Sequence, residues 1–157
     1  MIFDPVDLVL QPMQLADLER VIEIEEESFG SPWSVESFKK ELTKNRYAHY
    51  LVLKKGAELI GYIGIWIFIS EGHITTLAIA PAYRRQGLAK YLLDRIVSSL
   101  AESKVRKVTL EVRVSNQAAR RLYRDYGFEE VGIKEDYYQN NQEDAVVMHK
   151  VLDKELD

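Results

Sequence analysis

"TLAIAPAYRRQGLAKYLL", residues 76–93, decides the architecture. Its first half is a β-type run closed by Pro81. Its second half spaces Leu88 and Leu92 at helical distance, a stripe that Ile96 and Leu100 continue. Between the halves, Arg84, Arg85 and Gln86 stand directly ahead of Gly87. A strand, a short basic loop and a helix opening on glycine make a place to hold an anion. The first turn of a helix leaves backbone N–H groups without partners, and the helix dipole adds positive potential there. A phosphate satisfies both, and a glycine without Cβ lets it approach the backbone closely. Arg84, Arg85 and Lys90 add cationic charge around it. The spacing alone leaves open a plainer reading, a helix preceded by solvated arginines. Neither the Gly-x-x-x-x-Gly-Lys-Ser/Thr loop of nucleotide triphosphate binders nor the Gly-x-Gly-x-x-Gly of dinucleotide folds is present.

Upstream, "YAHYLVLKKGAELIGYIGIWIFI" (47–69) reads as two long strands around a Lys55-Gly56 turn. Glu71-Gly72 is the next turn expected, ahead of the β run "HITTLAIAP" (73–81). Nearer the start, "LVLQP" (8–12) is a short strand, and Asp17 is placed to cap a helix through Phe29, with Leu18, Val21 and Ile22 apolar. "GSP" (30–32) stops that helix. Ser34 caps a second one that aligns Val35, Phe38 and Leu42. Downstream, "RKVTLEV" (106–112) is a strand, and Asn116 opens a short helix ending near Tyr126, with Gly127 beyond its end. "FEEVGIKEDYY" (128–138) and "EDAVVMHKVL" (143–152) form a closing hairpin. The order β-α-α-β-β-β-α-β-α-β-β predicts an α/β (α+β) fold: a mixed, mostly antiparallel central sheet flanked by about four helices. With no internal repeat, low-complexity tract or linker, residues 1–157 read as a single domain.

Composition narrows the function. The chain has 157 residues and a net charge of −4, which argues against a nucleic-acid partner with its demand for a basic face. It has no cysteine, so disulfides, thiolate metal sites and a cysteine nucleophile are excluded. The longest apolar stretch, 59–69, is too short to span a bilayer, and "MIFDPVDLVL" lacks the pattern of a signal peptide. The expectation is a soluble cytoplasmic protein without a membrane partner. His49, His73 and His149 are scattered with no ligand spacing, and no metal is assigned. The run Glu23 to Glu27 reads as a solvated helix face, with attraction of a basic N-terminus as the alternative.

Arg84-Arg85-Gln86-Gly87-Leu88-Ala89 resembles the Q/R-x-x-G-x-G/A loop of the GNAT superfamily of acetyl-CoA-dependent N-acetyltransferases, whose element order is also the one above. "SPWS" (31–34), residues 76–93, "LEVRVSNQAARRLYRDYGF" (110–128), "DYY" (136–138) and "EDAVVM" (143–148) together resemble its RimI family, which acetylates the N-terminal alanine of a small-subunit ribosomal protein. The resemblance implies acetyl-CoA as co-substrate, with no metal. Its pyrophosphate would lie on the loop from Arg84 through Arg85, Gln86, Gly87, Leu88 and Ala89 to Lys90. Its pantetheine arm would pair with the strand at Leu77, Ala78 and Ile79, and Asn116 would touch the cofactor besides capping its helix. The same resemblance implies a protein N-terminus as partner, and a monomer or weak homo-oligomer.

Acetylating an amine needs a neutral nucleophile, support for the oxyanion and a proton for the departing thiolate. A free α-amino group titrates near 7.7–8.0, so an appreciable fraction is neutral around pH 7.5, and a modest base suffices. The resemblance casts Glu111 in that part. On pattern alone it is one polar residue of "VTLEVRV", where apolar and polar positions alternate, and a solvated-face carboxylate is the competing reading. Tyr123 is implied as the acid for the thiolate, against the reading of a packed helix aromatic. Trp33, Tyr137 and Tyr138 are implied to flank the peptide, and "KEDYY" departs from the Arg-rich approach to Tyr-Tyr associated with the family. Two other functions stay open at this point: a GNAT enzyme for another amine (lysine side chain, polyamine or small molecule), and a non-catalytic acyl-CoA-binding domain.

Overall fold

The structure, a computed structural model, describes residues 7–138 and 140–152. Among these, seven strands form one sheet in the order β1-β2-β3-β4-β5-β7-β6. The strands are β1 (Leu8–Pro12), β2 (Ala48–Lys55), β3 (Glu58–Phe68), β4 (Glu71–Ile79), β5 (Lys107–Arg113), β6 (Glu129–Lys134) and β7 (Ala145–Val151). The helices are α1 (Leu18–Ser28), α2 (Val35–Thr43), α3 (Leu88–Ala101) and α4 (Gln117–Asp125). Every neighbouring pair is antiparallel except β4 and β5. The mixed, mostly antiparallel sheet expected from the sequence is therefore the one observed. No helix is long and apolar enough to cross a membrane, among the described residues.

Each face of the sheet is covered, which explains why β3 is apolar almost throughout instead of alternating. On one face α3 buries Leu88, Leu92, Leu93, Ile96, Val97 and Leu100 against Ile63, Ile65, Ile74 and Leu110. On the other, α1 and α2 bury Leu18, Val21, Ile24 and Phe38 against Tyr50, Val52 and Tyr62. Phe38 meets Tyr50 and Tyr62 edge-on, with ring centroids 6.1 Å apart in both cases.

Two local expectations are corrected. Glu71 and Gly72 are not a turn but the first residues of β4; the chain reverses at Ile69-Ser70, where exposed Ile69 takes φ 56°. Gly72 serves packing instead, since a Cβ there would lie 3.1 Å from Ile65 Cδ1. Asp17 occupies the position before α1, but its backbone is already helical, because a 3₁₀ turn over Leu15–Asp17 leads in. Its carboxylate accepts from Gln14 N at 2.8 Å and pairs with Lys54 at 3.5 Å, so it closes the preceding turn rather than capping α1. Ser34 does cap α2, accepting from Ser37 N at 3.2 Å.

What positions the site is a defect shared by two strands. The β4–β5 ladder runs from Glu71↔Lys107 only as far as Ile74↔Leu110, though both strands continue. At that same point the β3–β4 register jumps from Ile65↔Ile74 to Gly64↔Thr76, leaving Thr75 as an inserted residue. The bulge turns β4 away from β5 and the sheet splits. Thr75 Oγ1 is held by the Tyr50 hydroxyl at 2.8 Å. The ring of Tyr50 lies so tightly over Gly64 that a Cβ there would sit 2.2 Å from it.

Candidate active site

The split opens into two cavities that share Phe29, Leu77, Asn116, Ala119 and Tyr123. The larger, about 520 Å³, lies beside β4 and the start of α3. It is lined by Leu77, Ala78 and Ile79, by Arg84, Arg85, Gly87, Leu88, Ala89 and Lys90, and by α4. The smaller, about 180 Å³, lies on the α1–α2 side and is lined by Glu25, Ser31, Trp33, Thr75, Thr76, Glu111, Arg113 and Tyr138, among others.

The loop before α3 has the backbone an anion site needs. Gly87 is the N-cap at φ 85° and Arg85 is also left-handed at φ 62°. Among the described residues, no backbone carbonyl accepts from the amides of residues 85–90, and the first bond of the turn is Tyr91 N to Gly87 O. Free amides, a helix N-terminus and flanking cations fit a pyrophosphate. Two of the expected residues stand differently from the rest. Gln86 does not line the cavity. Arg84 lines it, but its guanidinium is already engaged by Ile79 O and Ser28 Oγ, both at 3.0 Å, and ties the loop to the ends of β4 and α1. Beyond Ile74, the side of β4 turned towards β5 has no strand partner, which suits an extended amide chain. Asn116 caps α4 through Ala119 N at 3.0 Å and touches both cavities.

Glu111 lies on β5 just past the split, and its side chain is only 10% exposed. Burial raises its pKa, but the hydrogen bond and charge of His73, the Lys134 ammonium and the Tyr137 hydroxyl outweigh it, and the carboxyl is held below its usual range. The contacts are His73 Nε2 at 3.4 Å, Lys134 Nζ at 3.5 Å and Tyr137 OH, which donates at 3.1 Å. The solvated-face alternative for Glu111 does not apply. Tyr123 packs edge-on against Phe128, with centroids 5.6 Å apart, and lines both cavities, so a packed ring and a place at the cavities are compatible. Burial, then the neighbouring Tyr138, drives its phenol well above the usual range.

The groove walls come from separate parts of the chain. Half-buried Trp33 and Tyr138 line the smaller cavity, whereas Tyr137 does not line it and reaches it through Glu111. Burial and the adjacent Tyr137 push Tyr138 up to about 12, despite the Arg113 guanidinium 4.0 Å over its ring. Gln139, which follows Tyr138, lies outside the described residues.

Three residues escaped sequence reasoning. Glu25 is 2% exposed, so the Glu23–Glu27 run is not wholly a solvated face. It accepts from Trp33 N at 2.9 Å and Tyr62 OH at 2.5 Å, and burial raises its pKa despite those donors. Its helical phase, one step from Ile24 and four from Val21, was the available signal. Arg113 spans the groove mouth, donating to Ser31 Oγ at 3.1 Å on one wall and to Asn140 Oδ1 at 2.7 Å and Glu143 Oε1 at 3.2 Å on the other. His73 reaches Glu111 only because β4 and β5 pair in parallel there, which no local pattern announces.

Residues 18–128 match the acetyltransferase (GNAT) family. The chain is 47% identical, over 87% of its own length and 90% of the other's, to a protein of Bacillus subtilis named as a putative ribosomal protein bS18-alanine N-acetyltransferase. The chain belongs to the GNAT family, in its RimI branch. The crystal structure of the ribosomal-protein-S18-alanine N-acetyltransferase from Escherichia coli superposes with a TM-score of 0.84 at 28% identity, covering 92% of this chain and 94% of that one. The GNAT fold recurs in Arabidopsis thaliana NAA60 in complex with acetyl-CoA, with a TM-score of 0.82 at 22% identity over 92% and 98% of the two chains.

Proposed function

We propose that this GNAT protein transfers the acetyl group of acetyl-CoA to the N-terminal α-amino group of a ribosomal protein, the N-terminal alanine of bS18. The observation that carries the reading is the split between β4 and β5. It joins a cavity bordered by free helix-start amides to one holding a carboxylate, and Tyr123 stands where they meet. The RimI relatives named for this reaction support the choice of substrate.

Acetyl-CoA enters from the α3 side, its pyrophosphate on the amides of residues 85–90 and its pantetheine along the unpaired edge of β4 at Leu77, Ala78 and Ile79. The peptide enters from the α1–α2 side between Trp33 and Tyr138. Its neutral amine attacks the thioester carbon, the C–N bond forms, and a backbone N–H of the β4 edge holds the oxyanion. Glu111 takes a proton from the amine as general base. The depressed pKa keeps its carboxylate ionised and ready, at the cost of basicity, which suits an α-amine better than a lysine that titrates near 10.4. The C–S bond then breaks and Tyr123 supports the thiolate. Direct transfer is the route open to a chain without cysteine.

Mass spectrometry of an N-terminal alanine peptide, a lysine-containing blocked peptide and spermidine, each incubated with the protein and acetyl-CoA, tests the reading. Acetylation of the α-amine alone is expected. Preference for either of the other amines overturns the substrate assignment. In the same assay Glu111→Gln is expected to lower kcat by roughly 10²–10⁴ with little change in acetyl-CoA affinity. Full activity would remove Glu111 as the base.

A further inference from the structure

His73 stands behind Glu111 rather than beside the substrate. It lies on β4 in the last stretch that still pairs with β5, opposite Thr109, and it is not among the residues lining either cavity. Its Nδ1 is 2.7 Å from Thr109 Oγ1 and its Nε2 is 3.4 Å from Glu111 Oε2. The other carboxylate oxygen, Oε1, is occupied by Tyr137 OH and Lys134 Nζ. The two oxygens thus have different neighbours: one is pinned by a hydroxyl and an ammonium, the other faces an imidazole nitrogen. On its β3 side the imidazole meets the Trp66 ring at 6.1 Å between centroids, and that indole in turn donates to Glu41 of α2. The His73 side chain is 30% exposed against 10% for Glu111, so the imidazole is the more open of the two to water.

We propose that His73 is the proton acceptor behind Glu111, the proton leaving the attacking amine passing through the carboxylate to His73 Nε2. The inference rests on the acetyl-transfer reading above. As the C–N bond forms, the nitrogen's proton moves to Glu111, and the Glu111 O–H proton moves to Nε2. His73 is then an imidazolium that donates from Nδ1 to Thr109 and from Nε2 to Glu111, and it releases one proton to solvent. The thiolate produced when C–S breaks is stabilised by a hydrogen bond from the Tyr123 hydroxyl and takes its proton from water, so the protons balance. The step begins from the neutral imidazole, once the proton whose charge and hydrogen bond depress Glu111 has gone to solvent; Nδ1–H then donates to Thr109 and the Nε2 lone pair faces Glu111. The chemical gain is basicity. A carboxylate is a weaker base than an imidazole, and coupling the two lets a small carboxylate fit the narrow cavity while an imidazole receives the proton. Compared with a Ser-His-Asp triad the order is inverted, because here the carboxylate faces the substrate.

The test compares wild type, His73→Gln, His73→Ala and Glu111→Gln on an N-terminal alanine peptide, following kcat, peptide KM and acetyl-CoA Kd. Glutamine can still donate a hydrogen bond to Glu111 but cannot take up a proton. His73→Gln is expected to lose about tenfold to a hundredfold in kcat, at or below the lower end for general-base catalysis, with KM and Kd unchanged. His73→Ala is expected to lose at least as much, and added imidazole should restore part of that kcat saturably. Full kcat in His73→Gln overturns the proposal. So does activity that returns in His73→Gln while imidazole restores none in His73→Ala, which would make the residue a prop for the carboxylate. The two readings fail separately. An inactive wild type, or an undiminished Glu111→Gln, overturns the acetyl-transfer mechanism and the relay with it. An impaired Glu111→Gln beside a fully active His73→Gln overturns the relay alone.

Discussion

Tyr123→Phe separates the chemistry of the site from its packing. The ring is 8% exposed and seated against Phe128, and no described residue hydrogen-bonds its hydroxyl. Removing the oxygen therefore orphans no partner, and stability should stay within about 0.5 kcal/mol of wild type. The rate effect follows from acidity. A CoA-like thiol titrates near 8.5 and an ordinary phenol near 10, so full proton transfer to the thiolate is uphill by about 2 kcal/mol. It is further uphill here, because burial raises the phenol. Tyr123 should accordingly act as a hydrogen-bond donor to the developing thiolate rather than surrender its proton. A hydrogen bond to a charged group contributes about 1.5–3 kcal/mol, which converts to a loss of roughly 10- to 150-fold in kcat. Acetyl-CoA Kd should hardly change. A chromogenic thiol reagent reads turnover directly, since the chain has no cysteine and CoA is the only thiol formed. Unchanged kcat would refute the role of the hydroxyl. A loss accompanied by a lower Tm or weaker acetyl-CoA binding would refute the claim that packing survives.

Gly87→Glu places a side chain at φ 85° and a negative charge among the loop amides; calorimetry should find acetyl-CoA binding abolished. Gly87→Ala, with the strain and no charge, should retain measurable affinity, and equal loss in both would refute the charge argument. Arg113→Met should raise peptide KM about fivefold, on the order of one hydrogen bond of about 1 kcal/mol, by freeing the Ser31 wall from the Asn140 and Glu143 wall. An unchanged KM with a changed acetyl-CoA Kd would contradict it. Glu25 has a raised folded-state pKa, so its contribution is fully present below the unfolded pKa and is lost as pH rises through the folded one. Glu25→Gln, which still accepts from Trp33 N or Tyr62 OH, should raise Tm at pH 8 and not at pH 4, and equal melting shifts at both pH values would refute the burial argument.

The periodicities of the chain sufficed for its elements because each obeys local rules. Leu88, Leu92, Ile96 and Leu100 repeat at helical spacing, Ser34 and Asn116 satisfy orphan amides within three residues, and Gly56 and Gly127 take the positive φ their positions require. The anion loop was legible for the same reason, since Arg85, Gly87 and the amides that follow are neighbours in sequence. Local rules failed where a distant surface decided. Gly72 reads as a turn residue until Ile65 is seen pressed above it, and Asp17 reads as a cap until the preceding 3₁₀ turn claims its carboxylate. Glu25 reads as solvated until Tyr62, from a strand 37 residues away, donates into it. The split between β4 and β5 belongs wholly to the tertiary structure, because a bulge at Thr75 has no consequence until two strands must pair across it. His73 and Glu111, 38 positions apart by their numbers, become neighbours only through that parallel pairing. Sequence thus determined what each segment is, through forces acting within a turn or a strand. The fold alone decided which polar groups meet, because burial and charge act between surfaces that the chain brings together late.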